Sequence, residues 1–164
     1  MSEFTIRFAQ ESDCALILDF IRQLADYEQL AQQVVATEEG LRESLFARRQ
    51  AEVVLAFEGG EAVGFALFFH NYSTFLGKAG LYLEDLFVKE AHRSKGYGRA
   101  LFAHLAGLAL ERGCERLDWW CLDWNQSAID FYTRLGAEPM SDWTVYRLGT
   151  EAMKKLVEKK EQSF

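Results

Sequence analysis

The residue pattern with the clearest chemical meaning lies in residues 86–100, where a polar turn separates a predicted strand from a predicted helix. Backbone N–H groups at a helix start lack intrahelical partners and carry the positive end of the helix dipole, so they bind phosphate or pyrophosphate well. Gly96 and Gly98 let the backbone approach such a ligand closely. Three basic side chains add positive charge: Arg93, Lys95 and Arg99. The segment therefore predicts an anion-binding loop.

Carboxylates form a second group of candidate residues. Glu84 and Asp85 are adjacent on a predicted strand, so their side chains should point to opposite faces and only one can face a cleft directly. A carboxylate buried among Tyr82, Leu83 and Leu86 would be costly without a chemical task or a partner. An ion pair at a strand edge is the alternative interpretation of Glu84.

Another carboxylate ends an apolar helix face. Glu28 follows Ile17, Ile21 and Leu24 at offsets of four, seven and eleven from Ile17, which places all four on one side of a helix. The alternative is that Glu28 is only the exposed last turn of that helix.

A third group lies on the predicted helix over residues 125–135. Asn125 is followed at offsets of four, seven and eleven by Ile129, Tyr132 and Gly136. Asn125 and Tyr132 therefore share one helix face. The helix follows a predicted strand, and its inner face can therefore look onto a ligand bound there. The alternatives are a packed tyrosine with an incidental hydroxyl and a plain helix N-cap at Asn125.

The elements that must position these groups follow from hydrophobic periodicity. The order is β-α-α-β-β-β-α-β-α-β, a three-strand meander followed by βαβ units, which predicts an α/β fold with a mixed sheet and helices on both faces. A hairpin turn is predicted at residues 58–61. Strands are predicted over residues 5–8, 51–57, 62–69, 81–88, 117–122 and 143–148, and helices over 12–30, 37–46, 98–112 and 125–135, before a charged helical tail.

Composition narrows the class of protein. The chain has 164 residues with 49% hydrophobic and 26% charged residues, which fits one soluble domain. A net charge of −7 argues against a nucleic-acid partner and is compatible with a cationic substrate. No apolar run is long enough for a membrane span, and the first residues lack a signal-peptide pattern, so we expect no membrane partner and a cytoplasmic location. Cys14, Cys114 and Cys121 are scattered, no cysteine or histidine pair has ligand spacing, and we expect reduced thiols and no metal.

Known nucleotide-binding patterns narrow the ligand of the loop. The P-loop pattern G-x-x-x-x-G-K-(S/T) is absent. A Rossmann fingerprint needs a small residue at its third glycine position, where this chain has Leu101. Such a fingerprint also normally lies near the beginning of its fold. The pattern (R/Q)-x-x-G-x-(G/A) fits residues 93–98, Arg-Ser-Lys-Gly-Tyr-Gly. This segment resembles the pyrophosphate loop of the GNAT family of N-acetyltransferases, with a surface turn carrying chance glycines as the alternative.

The resemblance extends over nearly the whole chain and favours one branch of the family. Residues 82–85 (Tyr-Leu-Glu-Asp), 122–126 (Leu-Asp-Trp-Asn-Gln) and 131–132 (Phe-Tyr) are similar to the diamine N1-acetyltransferases and their thialysine-acetylating relatives. Residues 24–28 and 72–74 match the same branch, and 122–126 resembles the thialysine type more. The resemblance implies a single GNAT domain over residues 1–164, acetyl-coenzyme A (acetyl-CoA) as cofactor, and a homodimer with the substrate site near its interface.

The family fold implies a role for each matching residue. Two parallel strands, here 81–88 and 117–122, splay apart to admit the pantetheine arm. Tyr132 is implied as the general acid for the thiolate, and Glu84 as the base, acting through water. Acceptor contacts are implied for Tyr27, Glu28, Glu84, Asp85 and Trp143. Cofactor contacts are implied for the backbone of Leu86, Phe87 and Val88, for Arg93, Ser94, Lys95, Gly96, Tyr97, Gly98 and Arg99, and for Asn125, Ala128 and Tyr132.

Two departures from the polyamine pattern bear on the acceptor. Ser73-Thr74 replaces residues that tend to be acidic in polyamine acetylases, and Ser141-Asp142 aligns ambiguously before Trp143. Both favour a short amine, such as a thialysine- or lysine-like amino acid, over a long polycation. Protein or peptide acetylation and a non-catalytic acyl-CoA-binding module are the competing functions. Glu84 and Tyr132 together speak against the module, which needs neither.

Overall fold

The computed structural model describes residues 2–162, with side chains up to residue 159. It divides into two compact units, Met1–Asp123 and Trp124–Phe164. The first unit holds the sheet strands β1 Phe4–Phe8, β2 Glu52–Glu58, β3 Glu61–Ser73, β4 Lys78–Val88 and β5 Leu117–Trp119, with helices α1 Cys14–Tyr27, α2 Glu38–Leu41 and α3 Tyr97–Glu111. The second unit holds α4 Gln126–Arg134 and α5 Thr150–Gln162. The single domain over residues 1–164 stays a prediction.

The mixed sheet is confirmed and has the order β1-β2-β3-β4-β5. Neighbours from β1 to β4 pair antiparallel, and the predicted hairpin joins β2 to β3 through Gly59 and Gly60, both at positive φ. β4 and β5 pair in parallel, and only Leu81–Leu83 of β4 take part. The sheet is therefore the predicted meander with one parallel strand added at its edge.

The last parallel strand is shorter than the predicted 117–122, because β4 changes course at Glu84. Opposite β3, Leu83 pairs with Phe68 and Asp85 pairs with Leu67, so Glu84 is the extra residue of a β-bulge. A bulge bends its strand and increases the local twist. Pairing with β5 ends at Leu83, and β4 continues to Val88 without it. The divergence expected between the two parallel strands begins at this bulge.

The predicted strand over residues 143–148 is wrong. The segment has no regular structure, and Trp143 is 77% exposed. Alternating apolar residues fit a strand, but a strand also needs a neighbour to satisfy its backbone N–H and C=O groups. Within residues 124–162 the structure contains helices and no strand that could pair with this segment.

Helix α1 packs on one face of the sheet and is oriented by the predicted apolar stripe. Ile17 is fully buried, Ile21 and Leu24 pack against the same core, and Phe20 stacks on Phe65 of β3 with 5.3 Å between ring centroids. Burying each such side chain contributes about 1.5–3 kcal/mol. This packing fixes α1 on the sheet, and its last residue, Tyr27, follows the end of the apolar stripe at Leu24.

The opposite face of the sheet is also covered. Val54, Ala56 and Ala66 are fully buried although they alternate with the residues that face α1. Helix α3 contacts β3 and β4 and buries Leu101 and Leu105 completely. Helices on both faces are therefore confirmed for the first unit.

The predicted helix over residues 37–46 is present in two parts. Thr37 caps α2, because its hydroxyl accepts a hydrogen bond from the Gly40 N–H at 3.0 Å. The helix then widens into a π-helical segment, Arg42–Ala47. None of the helices within residues 2–162 is long and apolar enough to cross a membrane.

Candidate active site

The end of α1 presents Tyr27 and Glu28 to the sheet. Glu28 closes the helix by donating its N–H to the Leu24 carbonyl at 2.9 Å. Gln29 then takes a left-handed conformation, with φ of 62°, which turns the chain away from the helix axis. The apolar stripe and this turn together place Glu28 within electrostatic reach of Glu84 on β4.

Three carboxylates gather where α1 ends beside β4. Burial, and then the neighbouring Glu84 and Glu28 carboxylates, together raise the pKa of Asp85 to about 7. Burial, and then Glu84, raises the pKa of Glu28 above its ordinary value. The cluster is therefore a negative site that favours a cation and holds a group able to take up a proton near neutral pH.

The structure corrects the expected roles of Glu84 and Asp85 in one respect. Glu84 is exposed, whereas Asp85 is the more buried of the two. Their strict alternation is interrupted because Glu84 lies in the bulge of β4. Glu84 is therefore not the carboxylate that is costly to bury, and the partial burial falls on Asp85.

The outer edge of β4 is available beyond its pairing with β5. Lys89 donates its N–H to the Val63 carbonyl of β3 at 2.8 Å, so alternation turns the backbone groups of Val88 and Leu86 to the opposite edge. Leu86 and Val88 lie past Leu83, the last β4 residue that pairs with β5. This edge can therefore offer the backbone groups of Leu86 and the Val88 N–H to an extended ligand, whereas the Val88 carbonyl accepts Arg93 Nε. The same alternation turns the Phe87 backbone toward β3, contrary to its expected cofactor contact.

The predicted anion loop leads directly into α3. Gly96 is the N-cap of that helix, with φ of 85°, and Ser94 is also left-handed, with φ of 66°. The N–H groups of Tyr97, Gly98 and Arg99 precede the first intrahelical donor, since the Ala100 N–H is the one that donates to the Gly96 carbonyl. The backbone geometry fits a bound phosphate or pyrophosphate.

Glu58, a carboxylate that the sequence did not single out, contacts side chains of the anion-binding loop. Glu58 accepts a hydrogen bond from the Tyr97 hydroxyl, and its carboxylate oxygens lie 3.2 Å from Lys95 Nζ and 2.9 Å from His92 Nδ1. The Tyr97 and Lys95 hydrogen bonds lower the pKa of Glu58. Phe4 stacks on Tyr97 with 4.2 Å between ring centroids. No spacing rule could have revealed this cluster, because Glu58 belongs to the β2–β3 hairpin.

The Arg93 side chain contacts residues of α1 and β4. Its Nε donates to the Val88 carbonyl at 2.9 Å. Its guanidinium carbon lies 4.6 Å from the centroid of the Tyr27 ring and 5.3 Å from that of Phe87. The side chain thus joins the end of α1 to the end of β4.

Replacing Gly96 with valine should raise the KM for acetyl-CoA strongly. A side chain at this left-handed position is strained, by about 1–2 kcal/mol for an ordinary residue, and a β-branched one also blocks close approach of a ligand. Gly60→Val is the matched control, because Gly60 has φ of 87° and no atom within 4 Å of its added Cβ, like Gly96. Both variants should lose stability, but only Gly96→Val should change the KM. An unchanged KM in Gly96→Val would refute the assignment of this loop.

The second unit carries four of the predicted residues, Asn125, Ala128, Tyr132 and Trp143. Asn125 is the N-cap of α4, and its side-chain oxygen accepts the Ala128 N–H at 3.3 Å, so its capping role is confirmed. Tyr132 is half-buried on α4, with its ring 5.8 Å from that of Phe131. Trp143 is exposed and outside any helix or strand. The structure therefore gathers Tyr27, Glu28, Glu84, Asp85 and Arg93 in the first unit, and describes the four residues of the second unit separately.

Comparison with known proteins finds relatives over almost the full chain. The model of the acetyltransferase (GNAT) family matches residues 19–137. A thialysine N-epsilon-acetyltransferase from Bos taurus is 39% identical over 171 positions, covering 97% of this chain and 100% of the relative. An L-ornithine N5-acetyltransferase from Arabidopsis thaliana is 31% identical, covering 90% of this chain and 85% of the relative. An integron cassette protein from V. cholerae has a TM-score of 0.79 and 27% identity, covering 94% of this chain and 97% of that structure. The family match includes the carboxylate cluster and the anion loop.

Proposed function

The chain belongs to the GNAT family of acetyltransferases, and from this premise we propose that it moves an acetyl group from acetyl-CoA to a primary amine of a small cationic molecule. The preferred acceptor is an amino acid with a side-chain amine, such as thialysine, or a short diamine. The carboxylate cluster of Glu28, Glu84 and Asp85 is the observation that carries this proposal, because it suits a cationic amine. Relatives named for thialysine and ornithine acetylation support it.

The residues of the first unit fit acetyl-CoA as the donor. The outward backbone groups of Leu86 and the outward Val88 N–H support pairing with the pantetheine amides. The N–H groups that open α3, with Arg99 exposed beside them, support pyrophosphate binding. We propose these contacts, together with those of Asn125, Ala128 and Tyr132 on α4, as the cofactor site.

Deprotonating the acceptor is the first chemical demand. An alkyl ammonium has a pKa of about 10, so its neutral form costs about 4 kcal/mol at pH 7. We propose that Glu84, exposed at the bulge, takes this proton through a water molecule. Asp85, with its pKa of about 7, lies beside it and can share the proton. Tyr27 and Glu28 would hold the acceptor from α1, and Trp143 would contact it from the second unit.

The transfer itself forms a carbon–nitrogen bond and breaks the thioester carbon–sulfur bond. The amine nitrogen attacks the carbonyl and loses its second proton to solvent, and the departing sulfur needs a proton. We propose that the Tyr132 hydroxyl donates that proton to the thiolate and regains one from solvent. The products are the N-acetylated amine and free coenzyme A.

The acceptor preference can be tested directly. A long polyamine needs negative charge along its length, and Ser73 supplies none: it is buried, and its hydroxyl accepts the Leu76 N–H at 3.2 Å within the β3–β4 turn. We expect kcat/KM for thialysine to exceed that for spermine by at least about tenfold, or roughly 1.4 kcal/mol. Both values should fall with added salt, because salt screens the attraction of cations to the cluster. A preference for spermine would contradict this choice of acceptor.

Assembly and location remain proposals. We propose a homodimer, and the exposed apolar side chains of the second unit, among them Met140, Trp143 and Val145, support a surface that a second copy covers. Light scattering that gives the mass of one chain would contradict the dimer. The cytoplasmic location likewise stays a prediction.

A further inference from the structure

We propose that Arg93 is a positioning residue that couples the acceptor site to the cofactor site, by tying the end of α1 to the end of β4. The inference rests on the proposed function, since it concerns how the two substrates of that reaction are held together. It gives Arg93 a different task from the pyrophosphate contact that the loop pattern implies.

The geometry of Arg93 supports a tether. Its guanidinium carbon lies 4.6 Å from the Tyr27 ring centroid on α1 and 5.3 Å from the Phe87 ring centroid on β4. Its Nε hydrogen bond to the Val88 carbonyl, at 2.9 Å, fixes the direction of the side chain. One cation therefore contacts the residue that precedes Glu28 and the strand segment proposed to pair with the pantetheine arm.

The carboxylate cluster explains why such a tether is needed. Glu28, Glu84 and Asp85 repel one another when ionised: burial, and then the neighbouring carboxylates, raise the pKa of both Glu28 and Asp85. This repulsion favours moving the end of α1 away from β4. The apolar packing of α1 reaches Leu24, whereas Tyr27 is 40% exposed, so hydrophobic contacts hold the last turn weakly. The contact between Arg93 and Tyr27 acts against the repulsion at this point.

A tether and a pyrophosphate ligand predict different kinetics. If Arg93 only bound the pyrophosphate, its loss would weaken coenzyme A binding and leave the amine KM unchanged at saturating acetyl-CoA. If Arg93 holds Tyr27 and Glu28 in place, its loss must raise the amine KM even when the cofactor site is full. Removing the Tyr27 ring must then have the same consequence.

The test is a double-mutant cycle of Arg93→Gln and Tyr27→Leu, with the amine KM for thialysine measured at saturating acetyl-CoA. Each single variant should raise that KM by about 3- to 30-fold, the range of a partly desolvated cation–π contact. The amine KM of the double variant should exceed that of the more impaired single variant by no more than about twofold, because both substitutions remove the same interaction. Tyr27→Phe, which keeps the ring, should retain the coupling to Arg93, and Arg93→Lys should recover part of the amine KM. Coenzyme A binding measured by calorimetry confirms that each variant is folded.

Two results would overturn the tether. One is independent, multiplying effects of the two substitutions on the amine KM. The other is an unchanged amine KM in Arg93→Gln. Amide hydrogen exchange over residues 24–30 separates this failure from that of the proposed function, because it needs no turnover. Exchange there should be faster in Arg93→Gln than in the parent protein, even if no amine were acetylated, and unchanged exchange would also overturn the proposal.

Discussion

Replacing Tyr132 with phenylalanine is expected to lower kcat by about 10²–10⁴-fold, the usual contribution of a general acid. The substitution removes one hydroxyl from a half-buried side chain and keeps its ring, so α4 should remain folded and the KM for acetyl-CoA should change little. Steady-state release of free thiol at saturating substrates measures the effect.

Tyr146→Phe is the matched control for this experiment. Tyr146 belongs to the same unit and is 92% exposed, and its variant should keep the kcat of the parent protein. A loss below about threefold in Tyr132→Phe would show that water or another group protonates the thiolate.

Replacing Asp85 with asparagine is expected to stabilise the protein at alkaline pH while weakening acceptor binding. Asp85 has a pKa of about 7 in the folded chain, against about 3.9 in an unfolded one. The folded state therefore binds the proton more tightly, and ionised Asp85 opposes folding. This penalty is absent below about pH 4, grows between about pH 4 and pH 7, and is complete above pH 7.

The difference between the folded and unfolded pKa values of Asp85 limits this destabilisation to about 4 kcal/mol, at about 1.36 kcal/mol for each pKa unit. For a chain of this size each kcal/mol moves Tm by about 2–4 °C, so Tm of Asp85→Asn should rise by several degrees at pH 8 and not at pH 4. Glu84→Gln is the control, because Glu84 is exposed and its change should affect Tm less. A Tm gain that is equal at both pH values, or a loss at pH 8, would contradict the burial of a charged Asp85.

Local sequence signals predicted the elements whose causes are local. The stripe of Ile17, Ile21 and Leu24 identified the buried face of α1, because helical periodicity alone determines which residues share a face. The Gly59–Gly60 pair identified the hairpin, since few other residues accept positive φ. The helix predicted from residue 98 is α3, which begins one residue earlier, at Tyr97, after its N-cap Gly96.

Features that depend on contacts between distant segments were missed. The bulge at Glu84 arises from pairing with β3, interrupts the expected alternation of side chains, and leaves Glu84 more exposed than Asp85. Glu58 lies far from Lys95 and Tyr97 in the chain, so nothing near the loop indicated it. Arg93 fitted the loop pattern, yet its partners, Tyr27 and Val88, follow from the packing of α1 on the sheet. Residues 143–148 have strand-like alternation, but no strand lies within residues 124–162 to pair with them.

Acetyl transfer to thialysine, followed by mass spectrometry of the amine and by thiol release, is the decisive test of the proposed acetyltransferase activity. We expect one acetyl group added to the side-chain amine, one free coenzyme A formed for each acetylated molecule, and no product without the protein. The panel should also include lysine, putrescine and spermidine. Binding of coenzyme A without thiol release from acetyl-CoA in the presence of any of these amines would contradict the proposed activity, and would identify the chain as an acyl-CoA-binding module.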